Sequence, residues 1–427
     1  MSFNTADELG QRLVAMRLIS PEQFEQALQT LPPGLPGAQD LMRILRDRHL
    51  LTPYQADKIQ KRELDGLVLG EHKLLYQNAS GSFARVYRAE SISNGRMVGL
   101  KLLRRRWAQK PDTVVQFHRE AQLCRRLIHK NIVPIYEVGS QGNYHYFTME
   151  FVEGGNLRDF LRIRGKLSPA EATRCTLDMA EGLEYAASRK LTHRDLKMTN
   201  VLMSTRGVAK LVDFGLAGAD GSGDDIQHAL EYSTLEKGTS AQMNDPRSDL
   251  FFLGAIYYEL LCGEPPWPRT RDRLERKRFS RYSTVRPIRS RDPNLPAEVV
   301  EVVEKLMRVN PDQRYQSATE LIAELRDLLT GLGDAPSGSS RSERADGGGK
   351  RTVLCVESRP KHQDVLRQYL SRHGYRVLML SDPDRALARL ASNPPDCVVF
   401  MAESLGPRAE EVLHKALATR NGRAVPT

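Results

Sequence analysis

The sequence predicts an α+β chain whose central region is two-lobed, a small strand-rich part first and a larger helical part second. Three observations carry this. Strand patterns fill the stretch from about 67 to 130, where "RVYRAE" alternates, "MVGLKLL" runs apolar, and the turn signal "SNG" (93–95) joins them. Helical patterns dominate from 168 onward. A run of strands followed by a run of helices marks an α+β layout rather than a regular α/β alternation. With 427 residues, 40% hydrophobic and 27% charged, the chain is long enough for two or three domains and has the composition of a soluble globular protein, which excludes a wholly disordered one.

Residues 1–66 read as a helical accessory module with a two-fold repeat. In "LGQRLVAMRLISPEQFEQAL" (9–28) and "LMRILRDRHLLTPYQADKIQ" (41–60), Leu9, Leu13, Leu18, Ser20, Pro21 and Gln23 align with Leu41, Leu45, Leu50, Thr52, Pro53 and Gln55. Ser20-Pro21 and Thr52-Pro53 each set an N-capping hydroxyl before a proline in the first helical turn. Each repeat therefore reads as helix, short turn, helix, with "LPPGLPG" (31–37) as the break between them. The four helices are expected to form a small bundle and a docking surface for regulatory partners. The central domain is expected over 67–330. Its longest apolar stretch, "LFFLGAIYYELLCG" (250–263), is too short to span a membrane and contains Glu259, so it reads as a buried helix. Residues 331–350, rich in Gly, Ser and charge, read as a flexible linker. From 351 to 427, "TVLCV", "YRVLML" and "DCVVF" alternate with helical stretches, the pattern of a parallel sheet.

The formal net charge of +10 favours acidic partners or polyphosphates. Part of it is concentrated in "RTRDRLERKRFSRYSTVRPIRSR" (269–291), read as a solvated face, and no nucleic-acid partner is expected. The five cysteines form no C-x-x-C pair, and an odd number does not suggest a disulfide framework. With no signal-like N-terminal segment and no membrane segment, the expected setting is reducing and cytoplasmic.

The densest chemistry lies in "LTHRDLKMTNVLM" (191–203), where His193, Arg194, Asp195, Lys197 and Asn200 stand between apolar flanks. Thirteen positions beyond Asn200, Asp213 opens "DFG"; upstream, Lys101 sits in the strand pattern "VGLKLL" and Glu120 in the helical pattern "QFHREAQLCRRL". A lysine on a strand, a glutamate on a helix, H-R-D-L-K-x-x-N and then D-F-G resemble the protein kinase family, over positions from about 69 to 329. The lysine two residues after the aspartate resembles the serine/threonine branch, in its eukaryotic-like bacterial form. The resemblance implies the two-lobed protein kinase fold, and transfer of the ATP γ-phosphate to Ser/Thr hydroxyls of protein substrates in signal transduction. Such a reaction asks a protein mainly to position reactants and neutralise charge.

The family's roles then fall on particular residues. Lys101 would reach the α- and β-phosphates, held by an ion pair to Glu120. Asp195 would accept the hydrogen bond of the substrate hydroxyl, and Lys197 would offset charge on the γ-phosphate. Asn200 and Asp213 offer the hard oxygen ligands that suit Mg²⁺. His193 would pack against Phe214. "YFTMEFVEGGNL" (146–157) resembles the hinge, with Met149 as gatekeeper and the backbone of Glu150 and Val152 available to adenine. Gly81, Val86 and Leu202 complete the implied nucleotide-binding set. Asp249 would anchor the catalytic loop's backbone, and Glu236 and Arg314 would form a structural ion pair beneath the activation segment.

Several positions depart from the family pattern. The loop "ASGSFA" (79–84) keeps only Gly81 of three glycines, and a methyl group at Ala79 or Ala84 can restrict φ. Gly99 stands where alanine is usual, and Met198 where proline is usual. In "HALEYSTLE" (228–236), His228-Ala229 replaces Gly-Thr, and Thr234-Leu235-Glu236 replaces Ala-Pro-Glu. Ser222, Tyr232, Ser233 and Thr234 are candidates for a phosphorylated partner of Arg194, although "GADGSGDDIQ" (218–227) already carries three aspartates. These departures motivate an alternative: a weakly active or inactive kinase-like scaffold that binds nucleotide and partner proteins.

The tail, 351–427, resembles an incomplete receiver module of two-component signalling. Glu357-Ser358 occupies the place of the acidic pair and Met401 that of the phosphoryl-accepting aspartate. A thioether cannot accept a phosphoryl group, so the module is expected to be non-phosphorylatable and to lack a fourth strand; it is then vestigial, pairs with a partner, or belongs to a chain that is a fragment.

Overall fold

The computed structural model describes residues 5–31, 37–48, 50–204, 206–214, 230–270, 272–333 and 351–358, most of 375–418, and positions 363, 366, 367 and 370. The expected linker (from 334), the acid-rich 218–227 stretch, Ser222 and His228-Ala229 lie outside the described residues. The chain divides into two compact units, Met1–Arg126 with Pro134–Phe151, and Leu127–Val133 with Val152–Thr427.

The first unit begins with four helices, α1 (Ala6–Ala15), α2 (Pro21–Leu28), α3 (Ala38–Asp47) and α4 (Pro53–Gln60). Ser20 and Thr52 accept from the backbone N–H groups of Gln23 and Gln55, whose side chains bond back to the cap residues' own N–H groups. These reciprocal capping boxes are why two eight-residue helices start where the repeat puts them. The aligned pairs Leu9/Leu41 and Leu13/Leu45 are fully buried in one core that runs on through Leu64 and Leu67.

A six-stranded antiparallel sheet follows: β1 (Val68–Leu69), β2 (His72–Ser80), β3 (Ala84–Ser91), β4 (Met97–Leu103), β5 (Ile135–Gln141) and β6 (Tyr144–Glu150), in spatial order β1-β2-β3-β4-β6-β5. Between β4 and β5 come α5 (Arg105–Ala108) and α6 (Pro111–Cys124). The helical repeat is packed onto this sheet. Thr52 Oγ1 donates to the Leu75 carbonyl at 2.7 Å, Gln55 Nε2 to the Leu74 carbonyl at 2.9 Å, and the Tyr54 and Tyr87 rings lie 5.9 Å apart. The junction at 66/67 is therefore a packed seam.

The second unit contains α7 (Leu157–Arg164), α8 (Pro169–Ala187), the short hairpin β7 (Val201–Met203) and β8 (Ala209–Leu211), then α9 (Leu230–Lys237), α10 (Pro246–Cys262), α11 (Arg273–Arg276), α12 (Ser280–Ser283), α13 (Ala297–Leu306) and α14 (Ala318–Gly331). From Ser248 to Leu261 every residue of α10 is buried, as its apolar run predicts. Farther on, β9 (Thr352–Val356), β10 (Arg376–Leu380) and β11 (Cys397–Phe400) form a parallel sheet in the order β10-β9-β11, with helices α15 (Pro383–Ser392), α16 (Ala402–Leu405) and α17 (Ala409–Ala418). Among the described residues no helix is long and apolar enough to cross a membrane.

Candidate active site

In the first unit the candidate residues gather on three neighbouring strands and one helix. Lys101 lies in β4, buried, paired in register with Val86 on β3 and Phe147 on β6, its Nζ 5.8 Å from the Phe147 ring centroid. Glu120 is on α6, half-buried, and accepts from Gln116 Nε2 at 3.0 Å, one turn away. That helix is held by Phe117, whose ring meets Phe147 at 5.4 Å and Phe83 at 6.2 Å. Met149 is buried opposite Gly99. A methyl group on Gly99 would sit 3.2 Å from both Cγ and Cε of Met149, so the thioether fills the space an alanine would take. The Glu150 N–H is already given to the Pro134 carbonyl at 3.0 Å.

The loop that keeps one glycine of three is a tight hairpin. Gly81 N donates to Ala84 O at 3.0 Å, and Ala79 pairs with Val86 across the strands. Neither Ala79, Gly81 nor Ala84 has a positive φ. The expected restriction by the two methyl groups thus falls on backbone that any L-residue adopts. The loop is further tied down by Arg104 Nη2 on Ser80 Oγ (2.7 Å), and by Arg106 Nη2 (2.5 Å) and Trp107 Nε1 (3.1 Å) on the Ser82 carbonyl.

In the second unit the polar stretch of 193–200 is a loop closed by its own hydrogen bonds. Lys197 Nζ donates to Asp195 Oδ2 at 2.7 Å. Asn200 Nδ2 donates to the same oxygen at 2.8 Å and to the Asp195 carbonyl at 2.9 Å. The Asn200 carbonyl accepts from Val212 N at 3.0 Å, which brings Asp213 next to the loop. Arg194 and Asp213 have φ of 60° and 67°, a conformation costly for residues other than glycine and common where function holds a side chain in place. His193 is fully buried against Phe214, ring centroids 4.6 Å apart, and burial keeps its pKa below the ordinary value. A neutral packing histidine is what these contacts require. Leu202 lies in β7 and Val152 just before α7, both half-buried and both in this unit.

Asp249, buried on α10, organises the loop from below. Its Oδ2 accepts from His193 N at 2.7 Å and its Oδ1 from Arg194 N at 3.1 Å. Tyr232 on α9 completes the hub: its hydroxyl donates to Asp249 Oδ1 at 2.8 Å and accepts from Leu196 N at 3.2 Å, while its ring stacks on Phe252 at 4.2 Å. Burial first, then the Asp249 charge, pushes the phenol's pKa well above its ordinary value, so it stays a donor. Tyr232 as a phosphorylation candidate is corrected here, because its hydroxyl is buried and spent within the hub. Its positioning role was missed in the sequence; a tyrosine seventeen residues before the anchoring aspartate offers no pattern to read.

A second correction concerns Glu236 and Arg314, which form no ion pair among the described residues. Arg314 gives its guanidinium to three backbone carbonyls, those of Arg308 (2.5 Å), Val309 (2.7 Å) and Arg247 (3.0 Å), and stacks over Phe251. Glu236 instead lies near Ser248 and Arg194; burial raises its carboxyl pKa against the pull of those groups. The physical reason is that all three nitrogens of the buried guanidinium already bond backbone carbonyls, which hold it away from Glu236.

Residues 78–325 match the family model described as protein kinase domain. The chain is 33% identical over 275 residues to serine/threonine-protein kinase PknB of Mycolicibacterium smegmatis, covering 62% of this chain and 44% of that protein. It is 32% identical over 255 residues to PknB of Mycobacterium tuberculosis, covering 57% and 41%. To serine/threonine-protein kinase PrkC of Bacillus subtilis it is 29% identical over 265 residues, covering 61% and 40%. The chain thus spans less than half the length of these relatives.

Proposed function

The chain belongs to the protein kinase family, and on that premise we propose that it transfers the γ-phosphate of ATP to serine and threonine hydroxyls of proteins. One observation carries the reading: Asp195, Lys197 and Asn200 form a single hydrogen-bonded cluster on a loop whose backbone is clamped by a buried carboxylate. Asp195 is the acceptor for the substrate hydroxyl's proton, positioning it for in-line attack. Lys197, already on that carboxylate, is placed to steady charge on the transferring group. Lys101 neutralises the α- and β-phosphates, and Glu120 holds it. Met149, Val86, Leu202, Gly81 and the backbone at Glu150 and Val152 receive the nucleotide.

The donor set fits Mg²⁺. Asn200 spends its amide N–H on Asp195, which leaves its Oδ1 as a hard ligand, and Asp213 adds a carboxylate. Two protein oxygens suit an ion that otherwise prefers phosphate and water ligands. When bound, the ion neutralises the triphosphate. We place the chain in a reducing, cytoplasmic setting on its odd cysteine count without a C-x-x-C pair. For the tail, the sheet order β10-β9-β11 supports a receiver-like module that lacks a phosphoryl acceptor, since Met401 follows β11. The test is phosphoprotein formation from Mg-ATP and a generic protein substrate. Incorporation no greater than in an Asp195→Asn control would sink the proposal.

A further inference from the structure

The cationic stretch 269–291 is more than a solvated face. It holds nine arginines and one lysine against two acids. It is also fastened to the elements around the catalytic loop. Arg276 Nε pairs with Glu231 of α9 at 3.0 Å, and Tyr282 Oη donates to the Glu231 carbonyl at 3.4 Å. Closest to the chemistry, Arg269 Nη2 lies 3.9 Å from the sulfur of Met198, three residues beyond Asp195, and forms an ion pair with Glu259 of α10. A second arginine, Arg158 of α7, faces the same carboxylate. Glu259 is mostly buried, with 11% of its side chain exposed, whereas Arg269 is 48% exposed and Arg158 is exposed.

Arg269 thus pairs with a carboxylate whose field Arg158 also feels, and among the described residues the two arginines leave an excess positive charge open to solvent beside the catalytic loop. Among the described residues the other acid near Arg158 is Asp159, already held by Asn156 Nδ2 at 2.8 Å and Arg162 at 3.5 Å. Leu196, Lys197, Met198 and Thr199, between Asp195 and Asn200, carry no acid, and the Asp195 carboxylate is itself bonded to Lys197 and Asn200. Burial and the neighbouring Arg269 charge both depress the Arg158 pKa, the sign of a crowded cation that gains from another anion.

We propose that the protein substrates of this chain carry acidic side chains next to the acceptor hydroxyl, received by Arg158 and Arg269 and drawn in by the 269–291 surface. This rests on the kinase reading and names the substrate class of the same site. The alternative occupant, a basic segment, would have to displace Arg269 from Glu259 and sit beside the Arg158 charge.

The experiment compares one serine peptide flanked by glutamates, alanines or arginines, using the full chain and Mg-ATP. The glutamate peptide is expected to show kcat/KM about tenfold above the alanine peptide, and the arginine peptide to fall below it. Arg158→Gln, which removes no hydrogen bond seen among the described residues, should cut the glutamate-to-alanine ratio about threefold, through KM. In a second arm, fluorescence anisotropy measures binding of the same peptides to the full-length Asp195→Asn variant, which needs no turnover. Tighter binding of the glutamate peptide, weakened by raising salt, supports the proposal. If no peptide is phosphorylated yet that preference appears, the kinase reading fails and the acidic recognition stands. Equal values for the glutamate and alanine peptides in both arms, or a preference for arginine, overturn the proposal.

Discussion

Tyr232→Phe isolates one hydroxyl. The ring stays on Phe252, so packing is conserved and only the hub's hydrogen bonds are lost. Asp249 Oδ1 keeps the Arg194 N–H at 3.1 Å, so that carboxylate retains a donor. Leu196 N is different: its acceptor is the Tyr232 oxygen, and the site is buried. A buried N–H left unpaired costs about 1–3 kcal/mol. The expected loss of unfolding free energy is therefore about 2 kcal/mol, read by urea denaturation with an unchanged m-value. Leu196 sits between Asp195 and Lys197, so the same loss should be felt in transfer. If the transition state feels all of it, kcat falls roughly thirtyfold. KM for ATP should move little, since the phenol touches no group assigned to the nucleotide. A Tyr232→Phe variant within about 0.5 kcal/mol and twofold of the parent would show that the phenol does not hold the loop, and the hub argument would be wrong.

Three further outcomes follow from other contacts. Gly99→Ala should cost about 1 kcal/mol through the Met149 contacts at 3.2 Å, and a Gly99→Ala/Met149→Ala cycle should show a coupling above about 0.5 kcal/mol; additivity would refute the space-sharing. Gln55→Ala removes both the reciprocal cap and the bond to the Leu74 carbonyl, so stability should drop by about 1–2 kcal/mol, with faster amide exchange in α4; an unchanged melting curve would count against a packed seam. His118 Nε2 and His145 Nδ1 lie 3.2 Å apart, and burial lowers both pKa values from 6.5, with the His145 charge adding to the effect on His118. A histidine depressed in the folded state binds fewer protons than in the unfolded one, so its contribution is complete above 6.5 and is lost as pH falls below it. Urea titrations at pH 7.5 and pH 5.5 should show that loss, and His145→Asn should shrink it, although buried His193 leaves part in place.

The sequence carried those features whose physics is local. The two Ser/Thr-Pro-x-Gln caps start α2 and α4 because a hydroxyl, a proline and a glutamine suffice to begin a helix. The run from Leu250 became a helix buried on all sides as far as Leu261, as its continuous apolar composition favours. Asp195, Lys197 and Asn200 met because they share one short loop. What stayed illegible depends on distant partners with no fixed spacing. Tyr232 reaches Leu196 from α9, thirty-six positions on, and Arg314 finds carbonyls instead of Glu236. The docking of α4 onto β2 is likewise invisible, because a glutamine that caps its own helix gives no sign that it also bonds the next element.

The altered glycine-rich loop and activation segment bear on catalysis in opposite ways to those their sequences suggest. Glycine is indispensable only where φ is positive or a Cβ would collide. Ala79 and Ala84 meet neither condition: they sit in paired strands, and the turn between them closes through Gly81 N on Ala84 O. Three side chains of 104–107 then pin the loop from outside, trading the mobility of three glycines for a preset shape. A preset loop pays less ordering entropy when it closes on a ligand, so loss of glycine does not by itself argue for weak binding. In the activation segment, Ala229 has no hydroxyl to couple Asp195 and Lys197, but the Tyr232 phenol reaches the backbone between them. On the proposed function, the Tyr232 phenol supplies a hydroxyl to the backbone between Asp195 and Lys197, which makes Tyr232→Phe a sharper probe of activity than restoring threonine at 229.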